Sequence, residues 1–228
     1  RKSKIFYKNL FLPGTKLNFG QNLLSKNNDE KAITFISENG FREIRSWKKL
    51  NLNTASIIQF LKQIKIVKGD RIAAYMPNCI ETVEAFLATT SIGGIWSSCS
   101  PDFGANGVIE RFSQIKPKVL FITDQYFYNG KEINIIERLP KILKLIPSIK
   151  NVIIVNYPGK KFLKNNKKFK KQKLVKWTNC INKNPQKINF KMYDFENELA
   201  ILYSSGTTGK PKCICHRTGG VLVQHKKE

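Results

Sequence analysis

Residues 69–100, GDRIAAYMPNCIETVEAFLATTSIGGIWSSCS, decide the fold class. Gly69-Asp70 turns the chain into an apolar run, Arg71 to Met76, which reads as a strand stopped by Pro77. Ile80 to Ile92 then reads as a helix, with Ile80, Val83 and Leu87 expected inward at helical spacing. Gly93-Gly94 ends that helix, and Ile95 to Ser100 is a second strand. A strand, a helix and a strand in succession predict a parallel pair covered by its connecting helix.

The same unit recurs outward in both directions. Upstream, Ala32 to Ser37 and Phe41 to Arg45 read as strands joined through Glu38-Asn39-Gly40, a hairpin signal. Ser46 is placed to cap a helix carrying Trp47, Leu50, Thr54, Ile57, Ile58, Leu61 and Ile64 on one face. Downstream, Gly104 to Ile115 reads as a helix ending ahead of Pro117, and Lys118 to Thr123 as a strand. Glu132 to Leu145 is expected to be helical, kinked at Pro140. Asn151 to Val155, Ile188 to Tyr193 and Glu198 to Ser204 read as further strands. The fold class is therefore α/β, with largely parallel β-sheets flanked by helices.

Bulk properties narrow the function. The chain has 228 residues, 41% hydrophobic and 25% charged, enough for one large domain or one domain with part of a second. No apolar run approaches the ~20 residues of a membrane span. Arg1 to Phe19 is basic without an apolar core, so no signal peptide is read there. Both ends are expected to be cut, since the chain begins with Arg and closes at Glu228 within an incipient helix. Five cysteines, with only a C-x-C pair at Cys213 and Cys215, fit free thiols in a reducing cytoplasm better than a zinc site completed by His216. No metal ligand is assigned. The net charge is +24, and its densest run lies between Gly159 and Trp177. Residues 159–177 read as a lysine-rich surface insert. A partner-binding patch is the next reading, and specific nucleic-acid recognition is disfavoured because no helix-turn-helix, zinc-finger or RNA-binding signature accompanies the lysines.

The chemistry is concentrated in Tyr203-Ser204-Ser205-Gly206-Thr207-Thr208-Gly209-Lys210-Pro211-Lys212, directly after the apolar strand. Gly206 and Gly209 let the backbone turn N–H groups toward an anion. Ser204, Ser205, Thr207 and Thr208 add hydroxyl donors, and Lys210 and Lys212 add positive charge. It is no Walker loop, because Pro211 follows Lys210 where that motif needs Ser or Thr. Most Gly/Ser/Thr turns bind nothing. Hydroxyls, glycines and lysines at this density after a buried strand favour a polyphosphate site.

YSSGTTGKPK resembles the phosphate-binding loop of the adenylate-forming superfamily, which includes the acyl-CoA synthetases. The resemblance implies that a carboxylate attacks the α-phosphate of ATP, that pyrophosphate leaves, and that coenzyme A then displaces AMP, with Mg²⁺ accompanying ATP. It implies Ser205, Gly206, Thr207, Thr208, Gly209 and Lys212 as phosphate ligands, flanked by Ser204 and Lys210, with Lys212 stabilising the phosphates during catalysis. Leu17-Asn18-Phe19 with Asn22-Leu23-Leu24, within an N-terminal element spanning residues 1–30, is similar to acetyl- and acetoacetyl-CoA synthetases. Gly94 to Gly104, Val108 to Phe112 and Gln114 to Phe121 resemble the acetoacetyl branch, so acetoacetate is the implied acid and acetate or another short acid the alternative. Tyr128-Asn129-Gly130-Lys131 fits the same branch and implies Asn129, Gly130 and Lys131 near coenzyme A. His216 with Gly219-Gly220 resembles the element after the phosphate loop, and that histidine is read as a support of the loop at least as readily as a catalyst. The whole chain, 1–228, is then a partial N-terminal AMP-binding domain. The remainder would hold the magnesium-binding acid, the ribose-binding aspartate, most of the acyl pocket and a mobile C-terminal domain, so this segment alone is expected to be inactive.

Overall fold

A computed structural model describes residues 10–160, 171–204 and 209–228. In chain order the elements are β1 (Lys16–Leu17), α1 (Phe19–Leu23), β2 (Lys31–Ile36), β3 (Arg42–Ser46), α2 (Trp47–Gln63), β4 (Arg71–Tyr75), α3 (Ile80–Ser91) and β5 (Ile95–Cys99). They continue with α4 (Ala105–Ile115), β6 (Val119–Thr123), β7 (Gln125–Tyr128), β8 (Lys131–Asn134), α5 (Leu139–Leu145), β9 (Asn151–Val155) and β10 (Lys173–Lys176). The last are α6 (Trp177–Cys180), β11 (Tyr193–Asp194), β12 (Glu198–Ser204), β13 (Lys212–Arg217) and α7 (Thr218–Lys227).

Among the described residues seven strands form the main sheet, in the order β10-β9-β6-β4-β5-β12-β13. Every neighbouring pair is parallel except the last, β12 with β13. Side chains alternate across the sheet, as the two-residue period of a strand requires. Phe121 and Ile153 face a core shared with Leu50, Ile57, Leu61, Leu87 and Trp96, whereas Leu120, Ile122 and Val152 face one shared with Phe112, Leu139 and Ile142. Helices α2 and α3 thus cover one face and α4 and α5 the other.

Local signals act where expected. The Ser46 hydroxyl accepts the Lys49 amide at 3.2 Å and starts α2. Buried Asn18 caps α1, accepting from the Gln21 amide at 3.1 Å, while its own amide donates to the Ser91 and Lys191 carbonyls at 2.8 Å each. That single side chain ties the N-terminal element to α3.

Four expectations are corrected. Residues 132–145 are not one kinked helix. Lys131–Asn134 pairs with Gln125–Tyr128 as a hairpin, a 3₁₀ turn follows at Ile136–Arg138, and Pro140 stands in the first turn of α5. Proline suits a helix start because the amide it lacks would have no partner there. Ile188 to Tyr193 supplies only Tyr193 to a strand, β11, which pairs with β1. Lys173–Lys176, at the end of the lysine-rich stretch, runs parallel to β9 as an edge strand. Val83 is 37% exposed, and Glu84 and Ala85 are the fully buried residues of that turn. The Glu84 carboxyl lies 3.0 Å from Arg45 Nε and accepts from Asn53 Nδ2 at 2.9 Å, partners that lower the cost of burying so polar a group.

Candidate phosphate-binding hairpin

Strand β12 carries the loop. Leu199 and Ala200 are buried, and Ala200 pairs with Trp96 of β5 in the parallel register. Because β12 runs with β5, the chain leaves Ser204 from the carboxyl edge of the parallel strands, where α/β folds commonly bind ligands. It returns antiparallel through β13 with Ser204 opposite Lys212. The loop is therefore the closed end of a hairpin rooted in the main sheet. Ser205, Gly206, Thr207 and Thr208 lie outside the described residues. Gly209 has φ +107°, and a Cβ there would meet nothing within 4 Å, so its backbone conformation rather than crowding demands glycine. Lys210 and Lys212 are exposed, and Ser204 is half-buried.

Both limbs of the hairpin are fastened by side chains that sequence reasoning did not assign. On the outgoing limb the Tyr203 hydroxyl lies 3.1 Å from Ser97 Oγ, which also donates to the Ile201 carbonyl at 2.8 Å. Burial raises the Tyr203 phenol well above its ordinary range, so it stays protonated. On the returning limb Gln114 Nε2 donates to the Pro211 carbonyl at 3.0 Å. Arg111, one turn before Gln114 on α4, sets its guanidinium 5.9 Å from the centre of the Tyr203 ring. The available signal was the i, i+3 polar pair Arg111 and Gln114 on α4. Which strand it would meet could not be read from spacing.

His216 lies opposite Ala200 on β13 and lines a cleft of about 700 Å³ with Thr82, Phe86, Trp96, Leu199 and Gln224. Gly219 is needed for space, since a Cβ there would sit 2.3 Å from the Phe195 ring.

A second polar assembly occupies the carboxyl edge beside β4 and β5. Arg138 Nη1 donates to the Tyr75 hydroxyl and to the carbonyls of Pro101 (2.9 Å) and Phe103 (3.1 Å). The Tyr75 hydroxyl donates to the Phe103 carbonyl. Asp102 accepts from Ser100 at 2.6 Å and Tyr126 at 2.8 Å, and these bonds hold its carboxyl below the usual carboxylate range. The segment Ser100–Gly104 is thereby pinned in place. Next to it, Asn129 (φ +49°) and Gly130 (φ +72°) form the tip of the β7–β8 hairpin, with Lys131 exposed. The Gly130 amide faces the Glu38 carboxylate at 3.5 Å.

These groups suit their implied ligands unequally. The hairpin offers two exposed ammonium groups and a glycine-bearing turn, a set that fits polyphosphate. The β7–β8 tip offers one ammonium, Lys131, beside a carboxylate, a weaker set for the phosphates of coenzyme A. Among the described residues no group of three or more His, Cys, Asp or Glu side chains is placed to hold a metal ion, and none is assigned to Mg²⁺.

Comparison with known proteins adds independent support. The family model described as AMP-binding enzyme matches residues 22–227. The chain is 39% identical over 219 residues to an acetoacetyl-CoA synthetase of Gallus gallus, covering 94% of this chain and 33% of that protein. It is 39% identical over 218 residues to the acetoacetyl-coenzyme A synthetase of Rhizobium meliloti, covering 96% and 33%. It is 33% identical to a malonamoyl-CoA synthetase of Penicillium aethiopicum, covering 94% and 31%. Among solved structures, the acetoacetyl-CoA synthetase from Streptomyces lividans superposes with a TM-score of 0.85 at 33% identity, covering 95% of this chain and 32% of that one. The chain thus spans about a third of the length of the relatives it matches. From its strand order to its glycine-rich hairpin, it belongs to the AMP-binding enzyme family.

Proposed function

We propose that the protein carrying this chain is an ATP-dependent acid–thiol ligase that activates acetoacetate, first to acetoacetyl-AMP and then to acetoacetyl-CoA. The observation that carries the reading is the hairpin rooted in the parallel sheet, with Ser204 and Lys212 paired across its mouth. Lys212 and the loop hydroxyls Ser204, Ser205, Thr207 and Thr208 hold the β- and γ-phosphates, with Gly206 and Gly209 shaping the backbone and Lys210 adding charge. The acid's carboxylate attacks the α-phosphorus, and pyrophosphate departs bearing the charge that Lys212 neutralises. The thiol of coenzyme A then attacks the acyl carbon and AMP leaves. Asn129, Gly130 and Lys131 stand at the coenzyme A phosphates in this reading. Mg²⁺ would enter with ATP as part of the substrate, and no described residue is assigned to it.

The relatives support the choice of acid. Acetoacetate and malonamate, the acids that correspond to the acyl groups in their names, are both short acids with a carbonyl at the β-carbon. A cytoplasmic location agrees with the free cysteines, and no described helix is long and apolar enough to cross a membrane.

The test is ATP- and CoA-dependent pyrophosphate release by the full-length protein with acetoacetate, malonamate, acetate and longer acids. Preference for acetoacetate is the expected result. Release with acetate alone would move the substrate assignment while retaining the chemistry, and no release with any acid would sink the ligase reading.

A further inference from the structure

The parallel sheet has two edges, and the chemistry above uses only the carboxyl one. At the amino edge, backbone hydrogen bonds step directly from one basic residue to the next. The Lys118 amide donates to the Arg71 carbonyl at 2.9 Å, the Lys150 amide to the Lys118 carbonyl at 2.9 Å, and the Lys173 amide to the Lys150 carbonyl at 2.8 Å. Basic residues therefore enter four consecutive strands, β4, β6, β9 and β10, at the ~4.8 Å strand spacing. Lys68, Lys116 and Lys171 lie immediately before three of those strands and are exposed, as are Lys118, Lys150 and Lys173.

Acidic compensation there is slight. Asp70 meets Lys118 at 2.7 Å. Toward β12 the sign changes, since Glu196 and Glu198 line a common pocket with Lys68. Lys144, in the last turn of α5, also meets that helix's terminal carbonyls favourably. Lys150 Nζ likewise donates to the Pro147 carbonyl just past that helix at 3.0 Å, whereas Lys68, Lys171 and Lys173 end no helix.

Two apolar side chains project from the same edge among the lysines. Val67 is 58% exposed between Lys65 and Lys68, and Leu145 is 50% exposed beside Lys144. Projecting aliphatic residues within a basic field match a surface that is negatively charged outside and apolar beneath. Among the described residues leading into these four strands, no aromatic side chain, on which nucleic-acid bases would stack, is exposed.

We propose that the amino edge of the sheet, centred on Lys150, Lys173 and Leu145, is a docking face for an anionic lipid bilayer. Docked this way, the phosphate hairpin, which leaves from the opposite edge, faces the aqueous phase and stays open to ATP. Peripheral attachment of this kind needs no spanning helix.

The test uses the purified full-length protein in flotation with vesicles of phosphatidylcholine alone and of phosphatidylcholine mixed with phosphatidylserine. Binding is expected only with the mixed vesicles, and it should be released at roughly 1 M salt, where screening reaches about 3 Å. The combined variant Lys144→Gln, Lys150→Gln, Lys173→Gln should weaken binding on the order of a hundred-fold, about five-fold per lysine. Leu145→Ser should weaken the wild-type interaction without altering its salt dependence. Lys48→Gln, at the far end of α2, should leave binding unchanged. Equal binding to both vesicle types, or an unaffected triple variant, would overturn the proposal. So would displacement by a single-stranded RNA homopolymer with the same lysine dependence but tighter binding, since the face would then read nucleic acid. Pyrophosphate release by the same preparation distinguishes failure of this inference from failure of the ligase reading.

Discussion

The two edges of one parallel sheet hold their polar residues to different degrees. At the carboxyl edge they are bound to one another and to backbone: Arg138 to Tyr75, Pro101 and Phe103, Tyr126 to Asp102, and Gln114 to Pro211. At the amino edge Arg71 and Asp70 bond nearby backbone and Lys150 donates to the Pro147 carbonyl, but the lysines Lys116, Lys150, Lys171 and Lys173 are exposed. A partly buried hydrogen bond fixes a group's position and is costly to break, whereas an exposed charge contributes a field at little structural cost. Reaction chemistry needs the first, and attraction to a surface needs only the second.

The contrast can be broken by substitution, beginning with the largest expected effect. Lys212→Ala should lower pyrophosphate release by about 10²–10³-fold, the scale for losing one preorganised charge partner. Little change in stability should accompany it, because Lys212 is exposed. An unchanged release rate would remove Lys212 from the site.

Arg138→Ala tests the fastening at the carboxyl edge. It strips donors from the Pro101 and Phe103 carbonyls and should cost about 2–3 kcal/mol in chemical denaturation. A loss below about 0.5 kcal/mol would mean that this edge is no more firmly held than the other.

Beneath it, Glu84 makes a prediction in pH. Burial, opposed by Arg45, raises its carboxyl from the usual 4.5 to about 8. Glu81 and Glu43 add in the same direction as burial, while the Asn53 hydrogen bond opposes it. The folded state thus holds a proton that the unfolded chain releases near pH 4.5. Its stabilisation is complete below that pH and is lost as pH rises through about 8. The melting temperature should fall across that interval, and Glu84→Gln should flatten the fall. A variant with the wild-type slope would show that Glu84 is not its source.

Gln114→Leu should cost about 1 kcal/mol and slow pyrophosphate release, since the returning limb loses its tie to α4. A change in stability without any change in rate would limit Gln114 to folding. Lys150→Gln should alter stability by no more than about 0.5 kcal/mol, and a larger loss would contradict the view of the amino edge as solvated charge.

Two Asn-Gly pairs show how far reading by residue type reaches. At Glu38-Asn39-Gly40 only Gly40 takes a positive φ, and the Ser37 amide bonds the Phe41 carbonyl across a three-residue loop. At Asn129-Gly130 both residues have positive φ, as a two-residue type I′ turn requires. The first pair was legible as a turn because clear strands flank it. The second was hidden by the apolar periodicity of residues 132–145, which suits a helix as well as a hairpin followed by a shorter helix.

By itself the sequence determined the α/β class, the parallel unit at residues 69–100, the cap at Ser46 and the glycine-rich loop after Glu198–Ser204. Each depends on neighbours in the chain, through side-chain period, φ preference or a local hydrogen bond. Only the tertiary structure decided that Gln114, Arg111 and Ser97 hold the loop's limbs, that Glu84 replaces Val83 inside, and that lysines from separate turns align along one edge. Those facts depend on strand order and on which helix crosses which strand. Long-range packing sets them, and no short-range pattern encodes it.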